Sequence, residues 1–453
     1  MEPGTDDIGS RLTERLTAVL GQPVRIEQLQ RLTAGANSET WSFEAHHGAH
    51  VQRMVLRRQP GGGHGPMGMT REAEAIGAAH AAGVPVPRVV DYADDGEALG
   101  APYLIADHID GETIPRKILR DNRYADARTS MASELGRTLA RIHSIPLGSV
   151  PALRSAPTAD LDHLRTLYLD LDTPSAVTEI ALAWLAAHQP ESVGEAVVHG
   201  DFRNGNLIVD EGGLAAVLDW ELTHIGDPRE DLGWLLVKCW RFGTEPEVGG
   251  FGSIDELLDG YAEISGSRPD TDAVRWWQIY RTAWWGIGCA QMAQRHLSGE
   301  VRSVELAAIG RRVCEQEHDL LLALGHPADP APTELTELPW TELHGRPTTP
   351  ELVGAVTEFL RASMMTASDP ALAFQARVAA NVLDIVEREL TYGGVQQQRR
   401  RSRLTDLGFD TEAELALAIR SGSIGADDPA VVAATRAAVT DRLMVANPRY
   451  LNM

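Results

Sequence analysis

The chain has 453 residues, a formal charge of -23 at pH 7 and three cysteines. That charge argues against nucleic acid and anionic membranes as partners, since both are held by clustered cationic side chains. Cys239, Cys289 and Cys314 are never spaced C-x-x-C, so neither a disulfide framework nor a thiolate metal site is indicated.

In chain order, Met1–Ser10 is acidic and lacks the apolar run of a secretory signal. No later apolar run approaches the ~18 residues of a membrane span, so the expectation is a soluble, cytoplasmic protein. Ile8 to Leu20 has the spacing of a short amphipathic helix. Val24 to Leu32 then opens an extended region. The small residues of Leu32–Trp41, with Gly35, Asn37 and Ser38 among them, join two strand-like runs and would let backbone N–H groups approach phosphate oxygens. Met54 to Arg58 reads as a strand ending in cations. Gly61 to Pro66 is a flexible linker and no Walker loop, because no Gly-Lys-Ser/Thr follows. Arg71 to Ala82 is a helix carrying Glu72 and Glu74, and Val84-Pro85-Val86-Pro87 ends it.

Tyr103 to Ala106 reads as a buried strand leading into Asp107-His108-Ile109-Asp110-Gly111. Ser130 to His143 places Met131, Leu135, Leu139 and Ile142 on one buried helix face. Pro151 to Pro174 reads as irregular, a lid or acceptor-site insertion. Asp255–Ile264 and Ala273–Leu297 read as helices, and Trp276, Trp277, Trp284 and Trp285 on the second have the spacing of core rather than of a pocket lining. Pro327 to Pro350 is a proline-rich linker. A helical module follows, with helix starts at Thr349-Pro350 and Asp369-Pro370, a helix through Ala376–Leu390, and a capping box at Thr411–Glu414. Arg399-Arg400-Arg401 reads as a solvated turn.

The stretch with most chemistry is His199-Gly200-Asp201-Phe202-Arg203-Asn204-Gly205-Asn206, followed by Leu218-Asp219-Trp220-Glu221. Between them, Leu207–Val209 and Ala215–Leu218 flank the turn Asp210–Gly213, a hairpin. A hairpin brings the residues just outside it together, so Asp201, Asn206 and Asp219 can converge. Two carboxylates and an amide oxygen form a hard donor set suited to magnesium. Asp201, ahead of the hairpin, can accept a proton from an attacking hydroxyl while Asn206 and Asp219 hold metal.

This motif set resembles the aminoglycoside phosphotransferase and choline kinase branch of the protein-kinase-like enzymes. Asp201 and Asn206 have the separation of the kinase catalytic-loop Asp and Asn, and Asp219 stands where the metal-binding Asp of that fold is expected. Gly226-Asp227-Pro228 to Asp231-Leu232 matches the branch's GDPxxDL segment. The resemblance implies a bilobal α+β fold: a nucleotide-binding lobe over 1–109, a catalytic and acceptor lobe over 110–326, the linker 327–350, and an extra all-α domain over 351–453. It implies ATP and Mg2+ as cofactors and a small-molecule hydroxyl as acceptor. Arg57 would set the triphosphate where kinases use Lys, as in the subgroup fused to acyl-CoA dehydrogenases, and would pair with Glu72 or, failing that, Glu74. Backbone groups of Asp107 and Ile109 would hold adenine.

His199 could be a base, a metal ligand or a structural residue, and the comparison with the family favours the last. Asp231, and similarly Asp227, would accept backbone N–H groups of the catalytic loop. The C-terminal helices leave room for a homo-oligomer or protein partner. A different class also fits: an inert nucleotide-binding module acting through those helices, which Arg57 in place of Lys keeps open.

Overall fold

A computed structural model describes residues 5–34, 39–60, 68–154, 161–328, 348–366 and 370–452. Gly35, Asn37 and Ser38, the Gly61–Pro66 linker and most of the proline-rich linker therefore lie outside the described residues.

The chain opens with helix α1 (Thr5–Leu20), then strands β1 (Val24–Ala34), β2 (Glu39–His47) and β3 (His50–Arg58), helix α2 (Met69–Ala81), and strands β4 (Val89–Ala93) and β5 (Tyr103–Asp107). The five strands form one antiparallel sheet in the order β1-β2-β3-β5-β4. Alternation decides its faces. Trp41, Phe43 and Ala45 of β2, Met54 and Leu56 of β3, and Tyr103 and Ile105 of β5 point to one side, where Ile8, Leu12 and Leu16 of α1 cover them. Those three residues are four apart, so they form a single helix stripe. The other face, with Leu104 and Ala106, packs against Met69, Ala73 and Ile76 of α2.

After β5 come α3 (Pro115–Arg120), α4 (Ala125–His143), α5 (Leu161–Leu169) and α6 (Ala176–Ala187). Strands β6 (Ala196–Val198), β7 (Leu207–Asp210), β8 (Gly213–Val217) and β9 (His224–Gly226) pair as β6-β9 and β7-β8, and α7 (Arg229–Leu236) and α8 (Ile254–Ser265) follow. The stripe expected on α4 is observed: Met131, Leu135, Leu139 and Ile142 are buried with Leu257, Leu258 and Tyr261 of α8 and Leu207, Val209 and Val217 of the hairpin. Helix α5 corrects the reading of Pro151–Pro174 as irregular. Leu161, Leu164 and Tyr168 fall at helical spacing and are buried, a stripe that flanking Asp and Pro residues obscure in the sequence.

The remainder is helical: α9 (Thr271–Leu297), α10 (Val304–Gly310), α11 (Val313–Ala323), α12 (Thr349–Phe359), α13 (Pro370–Asp406), α14 (Glu412–Arg420) and α15 (Pro429–Ala446). Residues 1–156, 192–236 and 240–274 form one compact unit, and residues 157–191, 237–239 and 275–453 form another. In the second unit Trp276, Trp277 and Tyr280 are buried with Leu185, Leu320, Leu443 and Tyr450, the core placement that their spacing suggests. The capping box at Thr411–Glu414 forms, and the helix start read at Thr349-Pro350 is capped one residue earlier, by a capping box of Thr348 with Glu351. Arg399–Arg401 is no turn, because α13 runs unbroken through it. Its cations are offset in part by Glu412, whose carboxylate lies 3.2 Å from Arg400.

Helices α4 and α8 approach so closely that only glycine fits between them. A Cβ on Gly136 would sit 2.1 Å from the Leu257 carbonyl oxygen, and one on Gly260 would sit 2.2 Å from that of Ser133. Both obstacles are backbone, which cannot rotate aside. Gly136→Ala is accordingly expected to destabilise the first of these units by about 1–3 kcal/mol, seen as an earlier calorimetric transition. Gly148→Ala, whose Cβ would meet nothing within 4 Å, should leave the transition in place.

Candidate active site

The loop between β6 and β7 carries His199, Asp201 and Asn206, and the β7-β8 hairpin returns the chain to Asp219. Two observations close its mouth: Leu207 pairs with Val217, and the Leu218 N–H donates to the Asn206 carbonyl at 2.8 Å. Asn206 donates from Nδ2 to the Asp201 carbonyl at 3.0 Å and to Asp201 Oδ2 at 2.6 Å. Asp219 holds φ +66°, a left-handed conformation uncommon for a residue with a side chain and frequent at functional sites. Its charge acts on Glu72, Glu221 and His199. Asp201, Asn206 and Asp219 therefore share one small volume.

The loop itself is tightly specified. Gly200 adopts φ +83°, and a Cβ there would lie 2.4 Å from the Leu222 carbonyl oxygen. Its N–H donates to Asp231 Oδ1 at 2.9 Å, and that of His199 donates to Asp231 Oδ2 at 2.8 Å. Asp231 is fully buried, with His143 Nε2 at 3.1 Å from Oδ2. Burial alone would raise its pKa, yet the hydrogen bond and charge of His143, with the His199 N–H, hold it below the usual carboxylate value.

His199 is also fully buried, and burial pushes its pKa down. The Asp201 N–H donates to His199 Nδ1 at 3.2 Å, which makes Nδ1 the acceptor. The proton then sits on Nε2, 3.2 Å from the Leu218 carbonyl. Both ring nitrogens are thus engaged, and the neutral ring ties the Asp201 backbone to the residue before Asp219.

Three donors fix the Asp201 carboxylate. Arg203 Nε at 3.0 Å and the Trp234 indole N–H at 2.8 Å donate to Oδ1, and Asn206 donates to Oδ2. A carboxylate offers about four acceptor positions, so the one left for an incoming hydroxyl is on Oδ2. The Arg203 guanidinium in turn lies over Trp240, 4.3 Å from the ring centroid.

On the sheet side, Arg57 is opposite Thr40 in the β2-β3 ladder and pairs with Glu72. Glu72 is buried and Glu74 is exposed, which settles which glutamate faces the arginine. Burial raises the Glu72 pKa, opposed by Arg57 and raised further by Asp219. Glu221 joins the same cluster. Burial first, then the charges of Asp219, Glu72 and Asp201, push its carboxyl up to about 7 despite Arg57. At the end of β5, the Asp107 N–H is given to the Arg88 carbonyl at 3.0 Å, and just beyond it Ile109 is half-buried. Gly111 lies so close to β7 that a Cβ would sit 2.4 Å from Ile208. Glu112 exchanges backbone hydrogen bonds with Val209 at 2.9 and 3.0 Å.

Glu221, Arg203, Trp234 and Trp240 are the members that sequence reasoning did not assign. Glu221 stands within the Leu218–Glu221 motif and was legible in principle. Arg203 likewise stands in the quoted loop, two residues after Asp201, whereas Trp234 and Trp240 have no local signature. Asp201, Asp219, Glu72 and Glu221 are linked electrostatically, with Arg57 paired to Glu72 and Arg203 to Asp201, and Asp219 with the Asn206 amide offers hard oxygen donors. Such a set suits a divalent cation such as magnesium.

Residues 28–277, more than half of the chain, match the Phosphotransferase enzyme family, and residues 366–450 match a Domain of unknown function (DUF6285). The chain is 29% identical over 210 residues to Acyl-CoA dehydrogenase family member 10 of Mus musculus, covering 44% of this chain and 20% of that one. It is 28% identical over 286 residues to Acyl-CoA dehydrogenase family member 11 of Gallus gallus, covering 56% and 35%. The chain thus spans about a fifth to a third of these curated relatives. An aminoglycoside 3'-phosphotransferase of Escherichia coli is 28% identical over 145 residues, 30% of this chain and 52% of that one. Among solved structures, a protein of Ralstonia eutropha provisionally assigned as an aminoglycoside phosphotransferase aligns with a TM-score of 0.55 at 19% identity, over 71% of this chain and 98% of that chain. The fold is protein-kinase-like: a β-rich small lobe, a helical remainder and further C-terminal helices.

The Glu221 carboxyl has a testable consequence. It titrates at about 7 against an ordinary 4.5, so the folded state is stabilised as pH falls through that window and carries an unfavourable charge above it. Glu221→Gln should therefore raise the melting temperature more at pH 8 than at pH 5. An equal gap at both pH values in scanning fluorimetry would remove Glu221 from the charge cluster.

Proposed function

The chain belongs to the phosphotransferase enzyme family, and from that premise we propose that it moves the γ-phosphoryl group of ATP to a hydroxyl of a small molecule. The observation that carries this reading is the convergence of Asp201, Asn206 and Asp219, with Asn206 hydrogen-bonded to Asp201.

Asn206 and Asp219 would hold magnesium. Asn206 turns its nitrogen to Asp201, which leaves its amide oxygen for the metal, and Glu221 lies near enough to Asp219 to add charge. When bound, magnesium ATP supplies an activated phosphoryl group with its charge neutralised. Arg57, steadied by Glu72, adds positive charge for the phosphates; as a planar fork it does so with a different geometry from a lysine. Gly35, Asn37 and Ser38 would cover the phosphates. The adenine edge would meet the Asp107 carbonyl and the Ile109 N–H, since the Asp107 N–H is already committed.

Asp201 would receive the acceptor hydroxyl at Oδ2, orient its oxygen for attack and take its proton as the new bond from that oxygen to the γ-phosphorus forms and the bond from the γ-phosphorus to the bridging oxygen breaks, ADP leaving with that oxygen. Arg203 and Trp234 hold the other oxygen, so the carboxylate does not rotate away. His199 and Asp231 keep the loop in place. This chemistry is mostly positioning and charge neutralisation. Likeness to the acyl-CoA dehydrogenase family members favours a hydroxylated metabolite over an antibiotic as acceptor. An inert nucleotide-binding module has no use for a base held by three donors.

Asp201→Asn should leave the thermal shift on adding magnesium ATP intact while turnover falls by ~10² or more. Asp219→Ala should instead abolish the shift. Mass-spectrometric profiling against a metabolite panel identifies the acceptor on which turnover is read. Full turnover in Asp201→Asn would end this assignment.

A further inference from the structure

Two tryptophans serve Asp201, and the chain between them is held by the far C-terminus. Trp234 donates directly to Asp201 Oδ1, and Trp240 lies beneath the arginine that donates to the same oxygen. The two indoles meet edge to face, with centroids 5.0 Å apart. Between them, Val237–Cys239 belongs to the helical unit, while both tryptophans belong to the catalytic one. The covalent chain itself therefore joins the two environments.

Within the helical unit, Lys238 is largely buried and sits 3.8 Å from Asp319, with its ammonium 4.7 Å from the centroid of the Tyr450 ring. The Tyr450 hydroxyl donates to Asp319 Oδ2 at 2.6 Å, and His318 Nδ1 lies 3.2 Å from Asp319 Oδ1. Tyr450 is buried, at 6% exposure. A buried cation needs compensation, and an aromatic face with a carboxylate supplies it most strongly away from water. The chain has only two lysines, Lys117 and Lys238, and one of them is placed here.

We infer that the C-terminal helical domain positions the phosphotransferase base. Tyr450 and Asp319 seat Lys238, the seated lysine fixes the segment between Trp234 and Trp240, and the two indoles set the Asp201 carboxylate. This rests on the reading of Asp201 as the base. Tyr450 touches no reacting atom, so it is a positioning residue. The inference gives a role to residues 366–450, the stretch that matches a domain of unknown function.

The test uses the full chain labelled with 15N, with the indole N–H signals of Trp41, Trp234 and Trp240 assigned by single Trp→Phe variants. In Tyr450→Ala the Trp234 and Trp240 signals should move while that of Trp41, in the small lobe, stays. Tyr450→Phe keeps the ring over Lys238 but loses the hydroxyl bond to Asp319, so it should give a smaller shift in the same direction. With an acceptor in hand, Tyr450→Ala should lower kcat on the order of tenfold and leave KM for ATP within about twofold, the signature of a misplaced base. Unmoved Trp234 and Trp240 signals in a Tyr450→Ala chain with native circular dichroism would overturn the inference, as would equal movement of Trp41. If Tyr450→Ala does not fold, Tyr450→Phe decides by the same signals. The spectra need no acceptor, so this can fail while the phosphotransferase reading stands; turnover in Asp201→Asn decides that reading separately.

Discussion

The site depends on one buried carboxylate. Asp231 accepts the backbone N–H groups of His199 and Gly200 and faces His143. Burying a charge costs several kcal/mol unless it is paired and hydrogen-bonded. Three donors meet that condition, and the carboxylate stays ionised. Gly200 turns at positive φ at this point of the loop. Asp231 sits in the first turn of α7 and His143 in the last turn of α4. The interaction thereby fastens the loop to two helices of the core and sets where Asp201 can be.

From that anchor the site is built by a second constraint, the balance of charge. Asp201, Asp219, Glu72 and Glu221 act on one another electrostatically, with Arg57 and Arg203 as the cations beside them. Glu72 is stabilised by direct contact with Arg57. Glu221 shares that arginine at a distance and is left with a pKa raised to about 7. These carboxylates outnumber the two arginines, Arg57 and Arg203, that face them. Neutral His199 fits the same logic: a proton on Nδ1 would oppose the Asp201 N–H and break the link that carries the loop toward Leu218.

Short-range signals made much of this readable. The hairpin, the α4 stripe and the capping box at Thr411–Glu414 each rest on contacts within a few residues, and each appears where its pattern lies. The misreadings have a common cause. Leu161, Leu164 and Tyr168 form a helix stripe only three residues long, and acidic and proline neighbours mask it. Arg399–Arg401 resembles a turn until Glu412, on another helix, supplies a counter-charge. Trp234 reaches Asp201, and Trp240 reaches Arg203, through the packing of α7 and its following turn, which no spacing rule encodes.

By itself, the sequence determined which residue types could do the chemistry and their order. Carboxylates and an amide stand at the two ends of a hairpin, a cation ends a strand, and a glycine stands where the backbone must turn. These are local facts of covalent spacing and backbone freedom. Only the tertiary structure decided that Glu72 rather than Glu74 faces Arg57, that Asp201 keeps one acceptor position on Oδ2, that Glu221 joins the cluster, and that Lys238 is buried against Tyr450. Each of these depends on through-space distance and desolvation between residues far apart in the chain, and those quantities exist only once the core has closed around them.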